Sequence, residues 1–239
     1  MHFLTKGDDV PDTHPTPLQV LRLSNRGVTH SALTHIAQEA ETLGYDVLLV
    51  TDDGLDGVDP IAALSALAPA TSTLGLVGEV DTSRQHPFGL ARRLLGSDQV
   101  TRGRAGWAPT DTDPARLREA VRIVVELWDS WPDDAVVADK EANVWIDTDR
   151  VRPVVVAGEH YSVRAPLDFP RGPQGHPPLF TTAQDTDLST HTATVLLDNA
   201  QVVDLDSPDS PVPTPASATT RTGGSLRERL GLTRVEVSA

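Results

Sequence analysis

Hydrophobic positions along this chain change period repeatedly, and the changes mark out alternating strands and helices. Residues 18–24, Leu-Gln-Val-Leu-Arg-Leu-Ser, alternate apolar and polar and predict a first strand. Leu33, Ile36, Ala37, Ala40 and Leu43 then recur at helical spacing, and Gly44 follows as a stop. Tyr45–Val50 is a short apolar run ending at Thr51-Asp52-Asp53-Gly54, which predicts a buried strand entering a loop. Asp59-Pro60 opens a helix over 61–70, with an acid at the cap and proline in the first turn. Leu74–Val80 reads as a third strand, and His86-Pro87 opens a helix running through Val100. Gly103–Trp107 reads as a short fourth strand. Asp113-Pro114 opens a helix whose face is Leu117, Val121, Val124, Val125 and Trp128.

Strands alternating with helices at this spacing predict βαβ units and a parallel sheet. Four units in the first 131 residues fit half of a (β/α)8 barrel, and a flavodoxin-like open sheet fits as well. The pattern breaks over 144–164, where Val144–Ile146, Val154–Val156 and His160–Val163 predict a β-hairpin excursion. Leu179–Thr182 reads as a fifth strand of the barrel and Thr192–Leu197 as a sixth, extended by Val202–Leu205. Residues 207–220 are rich in Ser, Pro and Thr and read as a linker. A short helix, Leu226–Leu230, follows. The expected fold is α/β: a truncated or incomplete TIM-type (β/α) barrel, one domain over 1–239, with a β-hairpin excursion.

Composition narrows the function classes. The formal charge is −14, from 34 acidic and 20 basic residues. Nucleic acid and anionic membranes need clustered positive charge, so neither is an expected partner. No cysteine is present, which excludes disulfides, thiolate metal sites and cysteine nucleophiles. The N-terminal residues lack the apolar run of a signal peptide, and no stretch is long and apolar enough to span a membrane, so a cytoplasmic location is expected. His30 and His35 are five apart and do not share a helix face. No metal site is expected. Asp52 and Asp53 as an acid–base pair, Arg92-Arg93 as an anion site and Trp128 with Trp131 as a stacking platform each have a plainer reading: solvated acid, solvated helix face and core anchors.

Several segments carry a resemblance. They include Ala37–Asp46, His86–Arg93, Gly103–Trp107, Leu127–Trp131 with Asp133–Val137, Tyr161–Arg164, Pro170–Pro177, and the C-terminal Arg-Thr-Gly-Gly-Ser-Leu-Arg-Glu-Arg-Leu-Gly-Leu of 221–232. Together they resemble the bacterial luciferase-like flavin-dependent monooxygenases, in the branch holding nitrilotriacetate and dibenzothiophene-sulfone monooxygenases. Members of that branch have much more chain between the last two parts, so the resemblance implies an internal deletion. It also implies reduced flavin mononucleotide (FMN) as cofactor, held at the C-terminal ends of the strands, and a separate flavin reductase as partner. Dimers are common in the family. The all-round apolar helix over 61–68 is then expected at the centre of a homodimer, or of a heterodimer with a full-length homologue.

The resemblance carries two flavin-contacting positions onto this sequence. Asp52, at the end of the second strand, would lie near the ring edge, and Thr82, at the end of the third, would supply a hydroxyl. Other family features are replaced. Pro114 stands where a flavin-contacting Tyr would align. Thr182-Ala183-Gln184-Asp185 stands where small residues and a hydroxyl would receive the phosphate, so Asp185 would repel it. The expected function is a luciferase-like oxidoreductase of weak or no independent activity. The alternatives are an active small FMN-dependent monooxygenase subunit completed by a partner chain, and a non-redox ligand-binding module.

Overall fold

The computed structural model describes residues 17–53, 57–182, 188, 191–192, 194–205, 207–218, 221 and 223–237. Strands β1 (Gln19–Ser24), β2 (Val47–Thr51), β3 (Gly75–Asp81) and β4 (Ala105–Thr110) alternate with helices α1 (His30–Leu43), α2 (Pro60–Leu67), α3 (Pro87–Thr101) and α4 (Pro114–Asp129). Each helix starts where local chemistry dictates. Thr29, Asp59, His86 and Asp113 accept hydrogen bonds from first-turn amides, and Pro60, Pro87 and Pro114 follow three of them. Those caps satisfy N–H groups that the first turn leaves without helical partners. α1 ends at Gly44, φ 88°, and α3 ends at Arg102, φ 57°.

Two short antiparallel ribbons follow α4: β5 (Val136–Asp139) with β6 (Val144–Ile146), and β7 (Val154–Ala157) with β8 (Ser162–Ala165). The single expected hairpin is therefore two hairpins, because Val144–Ile146 pairs backward with 136–139 rather than forward with 154–157. β9 (Leu179–Thr181), β10 (Thr194–Leu196) and β11 (Gln201–Leu205) complete the strands, and α5 (Leu226–Arg229) is the last helix.

Seven strands form one parallel sheet in the order β10-β9-β4-β3-β2-β1-β11. β1 to β4 are neighbours in chain order without reversal, which excludes the doubly wound alternative. Side-chain parity separates two faces. Leu21, Leu23, Leu48, Leu76, Val80 and Trp107 pack against the helices, while Val20, Val47, Leu49, Val77, Phe180 and Leu226 form a separate interior cluster. The sheet must curl around that interior. Laid flat, six inter-strand steps would put its edges about 29 Å apart. Residues 197–200 alone join β10 to β11, a link that reaches at most about 18 Å. The result is an incomplete barrel, seven strands among the described residues where a closed TIM barrel has eight.

β11 is not an extension of β10, as its sequence suggests. It pairs in parallel with β1, from Gln19↔Gln201 to Leu23↔Leu205, and takes the place of a barrel's last strand. Ile61, Leu64 and Leu67 of α2 are buried within the single chain, against β3, α1 and α3, and only Ala62 and Ala66 face fully outward. Its larger apolar side chains are thus covered within the chain.

α5 closes the end of the barrel at which the strands begin. The Leu226 side chain joins the interior cluster, so near Gly75 that a Cβ there would lie 2.7 Å from it. The Leu226 amide donates to Gly103 O at 2.7 Å, and the Arg227 amide to Gln174 Oε1 at 2.8 Å. The segment is docked across the floor beneath β3 and β4, and its Leu226 shares the interior cluster with Leu18 and with Val20 of β1.

Candidate functional site at the barrel mouth

Ligands of parallel barrels are met where the strands end, because the loops there leave backbone groups and short side chains free of the helix layer. Continuing the inward parity of β1, β2, β3 and β11 one step beyond Val20, Leu49, Val77 and Val202 gives Arg22, Thr51, Glu79 and Asp204. These four, with Ser24, Asp53 and Leu205, line a 340 Å³ cavity at the mouth.

Its electrostatics are dominated by acids. Arg22 is ion-paired to Asp204 across the β1–β11 seam, with Nη2 donating to Asp204 Oδ2 at 2.8 Å. That pair raises the guanidinium's pKa and lowers the carboxyl's. Glu79 accepts the Asp52 amide at 3.2 Å. Burial pushes the Glu79 carboxyl above its ordinary range; the Asp52 amide pulls it back, the charges of Asp53 and Asp52 add to the rise, and Arg22 opposes it.

Neither residue carried over from the resemblance lines this cavity. Asp52 faces a neighbouring 310 Å³ cleft and is ion-paired with Arg84. Thr82 is fully buried in the 3-10 turn after β3. Its hydroxyl donates to Asp111 Oδ2 at 2.6 Å, and its carbonyl accepts the Tyr161 hydroxyl at 2.9 Å. Asp111 is itself held by Arg116, Nη2 to Oδ1 at 2.6 Å. The two lie on one rim, because Arg84 belongs to the same turn as Thr82, but their side chains point into different networks. Pro114 is the first residue of α4, where it serves the helix. Thr182 is exposed, and Ala183–Asp185 lie outside the described residues.

The lining of this cavity does not suit a flavin phosphate. A phosphate dianion needs N–H donors or free cations. Here Asp53, Glu79 and Asp204 surround one guanidinium already bonded to Asp204. Glu79 and Asp204 were missed in the sequence, although inward parity marks them: they stand two positions beyond Val77 and Val202. Among the described residues no cluster of three metal-ligating side chains occurs, and no helix is long and apolar enough to cross a membrane.

Comparison with known proteins agrees with the fold. The chain is 34% identical over 193 residues to one of the subunits of pristinamycin IIA synthase from Streptomyces pristinaespiralis, covering 77% of this chain and 69% of that protein. It is 31% identical over 193 residues to the N-acetyl-S-(2-succino)cysteine monooxygenase of Bacillus subtilis (strain 168), covering 67% of this chain and 44% of the relative. Nitrilotriacetate monooxygenase component A of Aminobacter aminovorans is 34% identical over 139 residues, 50% of this chain and 31% of its own length. The latter two thus have less than half their length matched. Among solved structures, long-chain alkane monooxygenase superposes with a TM-score of 0.65 at 20% identity, over 74% of this chain and 55% of that one, a likeness of fold. A family model described as luciferase-like monooxygenase matches residues 17–197, three-quarters of the sequence. With a parallel sheet curled into a barrel and a ligand-sized mouth at its strand ends, the chain belongs to the luciferase-like monooxygenase family.

Proposed function

We propose that this chain is a flavoprotein-type subunit with weak or no monooxygenase activity of its own. The observation that carries this reading is the acid-lined mouth, whose one guanidinium is already engaged by Asp204. In this reading Asp52 and Thr82 are the flavin-edge positions of the family, occupied instead by Arg84 and Asp111. Anaerobic titration with reduced FMN tests it. Binding weaker than micromolar is expected, and a stoichiometric complex that survives gel filtration would overturn it.

A second reading is favoured by one relative. The pristinamycin IIA synthase protein is by its name one component of an assembly, and it is matched over 69% of its length. In this reading the chain is an active small oxygenase subunit whose flavin site a partner chain completes, with a flavin reductase supplying reduced cofactor. A full-length homologue is the expected partner, a second copy the simpler one, and the cytoplasm the expected compartment. Substrate-dependent oxygen uptake on mixing this chain with such a homologue and a reductase, absent from either chain alone, separates the two readings.

A further inference from the structure

Another cavity, of 720 Å³, lies at the opposite end of the barrel, between the C-terminal ends of α2 and α3. Its wall combines Arg102 and Arg104 with Ser72 and an apolar surface of Ala68, Pro69 and Val100. Arg104 is 6% exposed, and its guanidinium makes five hydrogen bonds: to the carbonyls of Thr101, Leu74, Ala68 and Thr71 and to the Thr71 hydroxyl. All five acceptors are neutral. A buried guanidinium is thus fixed in the wall with no carboxylate touching it, and its charge is unneutralised.

The surrounding charges do not correct this. Those that reach Arg104 are one acid, Glu41, and two further cations, Arg229 and Arg102. The Glu41 carboxylate is itself held by the amides of Ser72, Thr73 and Leu74. Burial holds the Arg104 pKa below its ordinary value; Glu41 opposes the fall, and Arg229 and Arg102 add to it. Glu228 lies near the same wall and is likewise held by a backbone amide, that of Gly224 at 2.8 Å, so Arg102 and Arg104 are the cations of the lining and the nearby acids are engaged by the backbone. Arg102 is exposed, and its side chain makes no hydrogen bond or ion pair among the described residues. Val100 is a large apolar side chain left 54% exposed at the same cavity.

We propose that this cavity binds a small amphipathic oxyanion, its phosphate or carboxylate head at Arg102 and Arg104 and its apolar body over Ala68, Pro69 and Val100. Arg104 supplies fixed charge, and Arg102 supplies the free donors. The site is remote from the mouth and does not rest on any reading of it.

Calorimetric titration with phenyl phosphate, benzoate, inorganic phosphate and phenol tests the proposal on the intact chain. Saturable 1:1 binding of phenyl phosphate or benzoate is expected, and which of the two binds identifies the head group. Inorganic phosphate should bind more weakly and phenol not at all. Arg102→Asn, which keeps a residue tolerant of the left-handed backbone, should weaken binding about tenfold or more. Arg118→Gln, an equal loss of charge on exposed α4, should leave it unchanged. Absence of saturable binding by both aromatic anions would overturn the proposal. So would binding indifferent to Arg102→Asn, equal losses in the two variants, or equal affinity for inorganic and phenyl phosphate.

Discussion

Asp98 and Asp111 are both sequestered carboxylates, and their surroundings send them in opposite directions. Asp98, on α3, is fully buried and accepts the amide and side-chain N–H of Gln174 at 3.2 and 2.7 Å. Burial raises its pKa to about 6, against the pull of those two bonds. The folded state therefore holds this proton more tightly than the unfolded chain, so its contribution to stability declines as pH rises from about 4 to about 6. A carboxyl titration followed by NMR should show a midpoint near 6, and an ordinary midpoint would contradict the burial argument. At Asp111 burial also opposes ionisation, but the bonds from Arg116, Thr82 and the Asp113 amide outweigh it and bring the pKa down to about 2. Its stabilisation is present above about pH 4 and is lost as pH falls through 2. The stability difference between the wild type and Asp111→Asn should therefore be flat near neutrality and shrink toward pH 2 in chemical-denaturation curves. Asp52 and Thr82 were legible as strand-end residues, because a run of apolar residues ending in Asp or Thr announces where a strand stops. Their partners were not, since Arg84 and Asp111 reach them only through the loop geometry.

Among the elements, the helix starts were the most legible features, because a cap and a proline act within four residues. The period-2 and period-3.6 segments before residue 131 likewise kept their types. The elements that misled are short and have partners distant in sequence. β11 pairs with a strand 182 positions earlier, a choice that no local pattern encodes. The apolar surface of α2 was legible, but its neighbours were not. With Leu64 fully buried, Leu64→Asp should unfold the monomer by several kcal/mol in urea titrations. A folded variant that merely changes oligomeric state would show that the helix lies at an interface after all. α5 has only four residues, too few to hold itself as a helix, so its order derives from docking. Leu226→Ala should cost about 2–5 kcal/mol, and truncation after Thr220 should lower the melting temperature further. An unchanged melt in the truncated chain would show that the floor contributes nothing.

At the scale of the whole molecule, the interior cluster, the outer helix layer and the C-terminal floor are joined through one sheet. Unfolding should consequently be one cooperative event. Tryptophan fluorescence reports Trp107, Trp128 and Trp131 in the core and the exposed Trp145 of β6, while circular dichroism reports the whole backbone. The two denaturation curves should coincide, and an early circular-dichroism phase alone would show the β1–β11 seam opening separately. The sequence by itself determined the class of each long element, the order of the βα units and the family, because caps, periodicity and ordered local motifs act over a few residues. Tertiary structure alone decided that the link after β10 returns the chain to β1, that the mouth gathers acids, and that Arg104 carries an unneutralised charge into a cavity. Each of these depends on which distant residues share a face of the curled sheet, and that is fixed only when packing sets the register between strands.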